Sequence, residues 1–376
     1  VTATVIQHPG EVRWENRLLA VVTAILVAFG LATLYSAASF GSGTTEVLKQ
    51  LSAAAIGGVA MLVASRVEYG RWRNWSWWLL GGTFLLLLLV MTPGTEAIAP
   101  RINGARRWIR VPGMSFQPSE LARFVIVVWV AALATKKGPL IRDFRRGMLP
   151  VLSVLGVMSL LVLIQPNLSM ATVIGLSGGV VLFAAGARIG HFLMLSVAVV
   201  FGGVAAIMSE EFRFNRVKCF LGLAGDCARD VGMQVNQATI GFGSGRLVGV
   251  GFGEGQLKMD YLPMASSDFL MSTIGEEWGF LGVMVLLALF GLFCWLGFRI
   301  ALTAADQFGQ LLAAGITASI GFTTLMHMAV NTNLMPTTGL TLPFMSAGRS
   351  SLMVSLLAVG VLINIGRMRG RPVGRS

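Results

Sequence analysis

The run SSDFLMSTIGEEWGFLGVMVLLALFGLFCWLGFR, residues 266–299, holds nineteen residues from Phe280 to Phe298 without one charge among them. Its apolar side chains fall on every face of a helix, whereas a helix resting on a soluble core shows a single apolar stripe. A bilayer core takes about 17–25 mostly apolar residues per helix, so 272–298 reads as a membrane span. The charges stand toward its edges. Asp268 lies just before it, Glu276 and Glu277 lie inside its first part, and Arg299 follows it.

Outward from this run, nine further segments read the same way: 18–38, 47–65, 75–92, 118–135, 149–164, 170–187, 190–208, 307–330 and 350–366. The expectation is an all-α polytopic membrane protein with about ten transmembrane helices. The segment 149–164 is short and ends at Gln165-Pro166-Asn167, a helix stop followed at once by the next span. Composition agrees: of 376 residues 55% are hydrophobic and 12% charged, half the roughly 25% charged residues of a soluble domain. A disordered chain is excluded and a water-soluble enzyme is disfavoured. Arg13, Trp14 and Arg17 stand beside the first span with no small-residue cleavage site after it, the pattern of an uncleaved signal-anchor. The chain then divides into a cytoplasmic segment 1–17, a single membrane domain 18–366 and a basic cytoplasmic tail 367–376 suited to anionic headgroups. Trp72, Trp75, Trp77 and Trp78 read as an interfacial aromatic belt.

The net charge of +12 separates into two populations. Sixteen of the 29 Lys and Arg sit with Arg13 and Arg17, Arg66 to Arg73, Lys136 to Arg146, Arg188, Arg299 and the tail. Cations in short loops near span ends mark the cytoplasmic side, so both termini are expected there. A large extracytoplasmic loop then joins spans 7 and 8. Of the thirteen remaining cations, eleven lie in the outer stretches 93–123 and 209–272, and this placement against the rule asks for a function. Nucleic acid is not the partner, because these cations face outward.

Segment 93–123 carries Arg101, Arg106, Arg107 and Arg110 before a helix start at Gln117-Pro118-Ser119-Glu120, with Arg123 three residues after Glu120. Two readings stand. Glu120 and Arg123 form an ion pair at the helix start while the loop arginines are solvated, or the arginines bind an anion such as phosphate. The long outer segments are bounded as 93–117 and 209–271. The second holds a glycine-rich run, Gly241 to Gly255, that lacks the lysine and strand–helix context of a nucleotide loop. Such glycines let the backbone pack closely on the membrane surface or on a ligand. Asp268 is either a helix N-cap, with Ser266 and Ser267 as competitors, or a carboxylate at the water–lipid boundary serving as general base or cation holder. Glu276 and Glu277 lie deeper, where an unpaired charge is costly, and an arginine such as Arg123 is an expected partner. The last outer loop, NTNLMPTTGLTLPFMSAGRSSL, reads as a lid or cavity lining. His327, just before it, reads as a hydrogen-bonded core residue rather than a metal ligand. Cys219 and Cys227 share the oxidising side and are candidates for a disulfide.

These pieces together resemble a family. NGARRWI, QPSELAR, QPNLSMATV, GSGRLVGVGFGEGQLK, YLPMASSDFLMSTIGEEWGFLG and MPTTGLTLPFMSAGRSSL occur in the order of the shape, elongation, division and sporulation (SEDS) family, of the FtsW, RodA and SpoVE type. The wording PTTGLTLPF is nearer the division branch. The resemblance implies a peptidoglycan glycosyltransferase in the bacterial cytoplasmic membrane with its active site facing outside. It would polymerise lipid II by inverting β-1,4 transfer from the growing glycan-diphosphate-undecaprenol. Asp268 falls on the family's loop aspartate, the proposed general base. Arg101, Arg107, Trp108, Arg123, Lys258, Ser346, Arg349 and Ser350 are expected around substrate and diphosphate. Gln117, Glu120, Asn167, Gln237, Asp260 and Glu276 are expected in support. No cofactor is implied with certainty, a metal site is unassigned, and a divalent cation such as Mg or Mn is left open. Implied partners are a class B penicillin-binding protein and other divisome or elongasome membrane proteins.

The chain departs from the family pattern at several positions. Asn167 replaces the Asp of QPDLG, Met264 the Glu of the LPEA motif, and Ser267 a Thr. Ala347 and Arg349 replace the Tyr and a Gly of SYGGSS, and Arg123 stands where Lys is common. These changes concentrate acid–base work on Asp268, with Asp260 the best remaining second carboxylate. Two other classes of function compete: a transporter that flips lipid II, and a non-catalytic scaffold for a transpeptidase. A flippase needs polar groups along a whole pathway, whereas these spans carry almost no charge below their outer third.

Overall fold

Three long helices open the chain: α1 (Glu11–Ala38), α2 (Gly43–Arg66) and α3 (Tyr69–Met91). A small antiparallel hairpin, β1 (Ile109–Val111) and β2 (Met114–Phe116), pairs Arg110 with Ser115. It feeds α4 (Pro118–Lys137), then a 3-10 turn and a π turn, then α5 (Leu149–Ile164), α6 (Leu168–Ala184) and α7 (Ile189–Met208). The remaining helices are α8 (Glu211–Phe220), α9 (Val231–Gly245), α10 (Leu270–Leu302), α11 (Gln307–Asn331) and α12 (Arg349–Arg367). This computed structural model describes residues 11–38, 43–102, 105–111, 114–209, 211–221, 223, 231–257 and 266–369.

Each apolar run marked in the sequence is helical. Among the described residues, eight helices are long and apolar enough to cross a membrane, while α6 and the apolar part of α7 are shorter. The chain is a multi-pass helical membrane protein. Helices α4, α11 and α12 are buried on nearly all sides, whereas α2, α3 and α7 keep apolar faces outward through residues such as Val59, Leu85 and Val197. Exposed apolar side chains on such helices are what lipid solvates. Helix α12 lies along α2 so closely that a Cβ on Gly360 would stand 2.4 Å from the Met61 carbonyl oxygen. Helix pairs in membranes associate through such small-residue seams. Trp72 departs from the expected aromatic belt. It turns inward and meets Phe124 edge-on, with ring centroids 5.5 Å apart, while Trp78 stays exposed.

The bundle has two chemically distinct ends. At one, buried Glu15 bridges Arg299 and Arg369, and Asn364 accepts from the Tyr69 amide at 2.9 Å and donates to the Ser65 carbonyl at 3.0 Å. At the other end meet the hairpin, the α5–α6 turn, α8, the start of α10 and the loop between α11 and α12. Segment 209–271, expected as a loop, carries α8 and α9.

Helix α10 is broken at Gly279, whose φ is 64°. The break frees amides and carbonyls that hydrocarbon cannot satisfy, and the glycine-rich run supplies their partners. Val250 and Gly251 donate to the carbonyls of Glu276 and Glu277 (3.0 and 3.2 Å), and Phe280 and Leu281 donate to those of Arg246 and Leu247 (2.9 and 3.0 Å). The glycines therefore pack on another helix of the same chain. The partner expected for Glu276 is corrected too. Its carboxylate accepts from the backbone amides of Gln256 (2.8 Å) and Leu257 (3.1 Å), not from Arg123. Glu277 accepts from the Ser36 hydroxyl on α1.

Candidate active site

Asp268 sits in the turn Ser266–Phe269 that leads into α10. It does not cap the helix. Phe269 holds the N-cap position with no side-chain hydrogen bond, and the Ser272 amide donates to the Phe269 carbonyl at 3.0 Å and to Asn331 Oδ1 of α11 at 3.2 Å. The Asp268 side chain is half-buried. Burial pushes its carboxyl up to about 6; a hydrogen bond from Ser267 and the charges of Arg216 and Arg107 oppose the rise without cancelling it.

The charges of two arginines from different elements therefore act on this carboxylate. Arg107, from the loop before β1, donates through Nε to the Gln165 carbonyl at 2.8 Å and through Nη2 to that of Pro166. The α5–α6 turn thus aims it. Arg216, from α8, donates through Nη1 to the Thr337 carbonyl at 2.9 Å, and its own pKa is lowered by burial. The loop after α11 closes the far side. Ser346 Oγ donates to the Ser267 carbonyl at 2.7 Å, and the Ala347 amide donates to Ser266 at 3.0 Å. A partly desolvated carboxylate with two guanidinium groups beside it can take a proton from a hydroxyl while the cations meet an anionic leaving group.

Not every expected residue joins this cluster. Arg123 and Glu120 are buried in α4 as an ion pair (3.2 Å). Arg123 also donates to Thr323 Oγ1 (2.9 Å) and Ser355 Oγ (3.2 Å), which ties α4 to α11 and α12. That is the ion-pair reading of the two offered by the sequence. Asn167 caps α6 by accepting from the Met170 amide at 3.3 Å. Gln117 stands at the N-cap position of α4 without a side-chain cap, and its backbone amide donates to Ser350 Oγ at 2.9 Å, which itself donates to the Ser115 carbonyl at 3.3 Å. Ser350 thus splices the hairpin to α12. Trp108, Gln237 and Arg349 are half-buried and Arg101 is exposed. Cys219 is disulfide-bonded. Its candidate partner Cys227 lies outside the described residues, as do Lys258 and Asp260. Among the described residues no group of three His, Cys, Asp or Glu side chains is placed to hold a metal ion. Sequence reasoning missed Arg216 and Thr337. Arg216 was one outer cation among eleven with no motif around it, and the Thr337 contribution is a backbone carbonyl, which no side-chain pattern reveals.

Fold and site define a polytopic membrane protein with a half-buried carboxylate and the charges of two arginines gathered at one end of its bundle. The family model described as "Cell cycle protein" (FTSW_RODA_SPOVE) matches residues 14–370. The chain belongs to this family. It is 39% identical over 367 residues to a probable peptidoglycan glycosyltransferase FtsW of Geobacter sp. (strain M18), covering 96% of this chain and 99% of that one. It is 37% identical over 356 residues to the stage V sporulation protein E of Bacillus subtilis (strain 168), covering 93% and 96%. A solved structure described as "Structural coordination of polymerization and crosslinking by a peptidoglycan synthase complex" aligns with a TM-score of 0.77 at 28% identity, covering 94% of this chain and 98% of that one.

Proposed function

We propose that this chain is a peptidoglycan glycosyltransferase that polymerises lipid II, with Asp268 as general base. The observation that carries the mechanism is a half-buried carboxylate, raised to about 6, on which the charges of Arg107 and Arg216 act. The 4-hydroxyl of an incoming GlcNAc attacks the anomeric carbon of the MurNAc that ends the growing strand. The new O–C bond forms as the bond from that carbon to the diphosphate oxygen breaks, and the anomeric centre inverts to give a β-1,4 link. The hydroxyl proton passes to Asp268. The electron pair leaves with undecaprenyl diphosphate, whose charge Arg107 and Arg216 stabilise. Above about pH 6 the carboxylate is ionised and competent; a base with a pKa near working pH combines availability with strength.

The membrane arrangement in this reading has ten spans, 18–366 as one domain, both termini cytoplasmic and the Asp268 end outside the bacterial cytoplasmic membrane. The cation distribution supports this orientation. It puts the chemistry where lipid tails stay in the bilayer and sugars reach water. The partner in this reading is a class B penicillin-binding protein, supported by the likeness to a chain of a peptidoglycan synthase complex. Purified protein with and without such a partner would be given lipid II and its glycan products resolved on a gel. Polymer is expected from the wild type and none from Asp268→Ala or Asp268→Asn. Polymerisation that survives in Asp268→Asn refutes the base assignment. Absence of polymer from every form, together with translocation of lipid II in liposomes, favours a flippase.

A further inference from the structure

Two residues of α11 that the proposed chemistry does not use reach the opposite walls of the Asp268 site. Asn331 has its whole amide committed. Oδ1 accepts from the Ser272 amide at 3.2 Å and its hydroxyl at 3.0 Å, and Nδ2 donates to the Asp268 carbonyl at 3.0 Å and the His327 carbonyl at 2.9 Å. It therefore fixes the backbone at Asp268 and four residues beyond it. His327 lies one turn earlier and is buried. Its Nδ1 stands 2.7 Å from the Leu340 carbonyl, and because a carbonyl only accepts, Nδ1 carries the proton. The turn it holds lies against the carboxylate, since a Cβ built on Gly339 would stand 3.4 Å from Asp268 Oδ2.

We infer that Asn331 and His327 are positioning residues that together set the gap between the Asp268 carboxylate and the Gly339–Leu340 turn. Both anchors sit on one buried, continuous helix, so neither loop sets the distance by itself. Asn331 holds the carboxylate side and His327 holds the turn. The glycine at 339 leaves the carboxylate edge open toward the turn, where a hydroxyl must approach within hydrogen-bond reach to give up its proton. The inference rests on the reading of Asp268 as general base. It adds the device that holds that base at working distance.

The test is steady-state polymerisation of lipid II by the full chain with its penicillin-binding partner, followed over about pH 5–9 to span the acid limb. The variants are Asn331→Ala, His327→Ala, His327→Gln and Gly339→Ala, with Asp268→Asn as reference. Asn331→Ala and His327→Ala are expected to lower kcat roughly 10–100-fold with KM changed less than about twofold, because small misplacements of a reacting group act on the chemical step. In Asn331→Ala the acid limb is expected to move below that of the wild type as the released carboxylate meets water. His327→Gln, whose amide can donate to the same carbonyl, is expected to recover most of kcat. The charged groups that act on Asp268 from the surrounding elements, Arg107 and Arg216, are unchanged in all four variants. Wild-type kcat and an unmoved acid limb in both alanine variants, with Asp268→Asn inactive, overturn the inference and leave the base reading standing. An active Asp268→Asn overturns both. Should Asn331→Ala fail to fold, Gly339→Ala at its exposed turn carries the test with the two His327 variants. Wild-type kcat in Gly339→Ala and His327→Ala then refutes the inference.

Discussion

Asp268 and Glu276 stand eight residues apart on either side of one helix start, and their surroundings give them opposite work. Glu276 is buried and fully engaged by two backbone amides, so it holds structure. Asp268 makes no cap and keeps an edge open. Its folded pKa of about 6 lies above the ordinary aspartate value of 3.8, so between these values the folded state binds more protons than the unfolded one. Stability from this group therefore falls as pH rises through that window. Asp268→Asn is expected to melt above the wild type at neutral pH, with the difference vanishing below about pH 4, while polymerisation is lost; thermal unfolding in detergent across pH checks the sign. Glu276→Gln is expected to cost about 1–3 kcal/mol by turning an amide donor toward a backbone amide donor. Faster proteolysis of the 246–257 run in the variant would register it.

At the scale of elements, the break in α10 is the feature on which the Asp268 end of the bundle depends. Residues 270–278 aim Asp268 and the two glutamates, and the rest of the helix spans. Gly279 has φ 64°, and a Cβ there would lie 2.3 Å from the Gly249 nitrogen. Gly279→Ala is expected to be destabilising by several kcal/mol, on the order of the exceptional tail of point mutations, because it adds backbone strain and expels the docked loop. The melting temperature measures this; an unchanged value would show that the break needs no glycine. The expected spans and their limits were largely readable, since apolar runs and stops such as Gln165-Pro166-Asn167 are local signals. That α9 and the glycine-rich run would splice into α10 was not readable. The contacts are backbone to backbone and leave only a surplus of glycine in the sequence.

Across the whole molecule, Glu15 gathers the two chain ends of the bundle, bridging Arg299 at the end of α10 and Arg369 just after α12. Arg299 also stacks over Trp14 and Trp295 at 5.1 and 5.3 Å. Glu15→Gln is expected to cost about 3 kcal/mol, because it leaves the buried Arg369 without its counter-charge. The loss would appear as a lower melting temperature, with lipid II polymerisation at permissive temperature retained, since Asp268 lies at the far end.

The sequence by itself determined that the chain crosses a membrane many times, that eleven of its cations lie in the two long stretches 93–123 and 209–272, and that Asp268 stands at a span boundary. These follow from hydropathy and charge, which act residue by residue. Only the tertiary structure decided which cations meet that carboxylate. Arg123, nearest a recognisable helix start, is consumed by Glu120, Thr323 and Ser355 inside the bundle. Arg107 and Arg216, which are 109 residues apart in the chain, are turned to Asp268 by carbonyls of Gln165, Pro166 and Thr337. A guanidinium goes where backbone acceptors are left over, and that is fixed by how helices end in space.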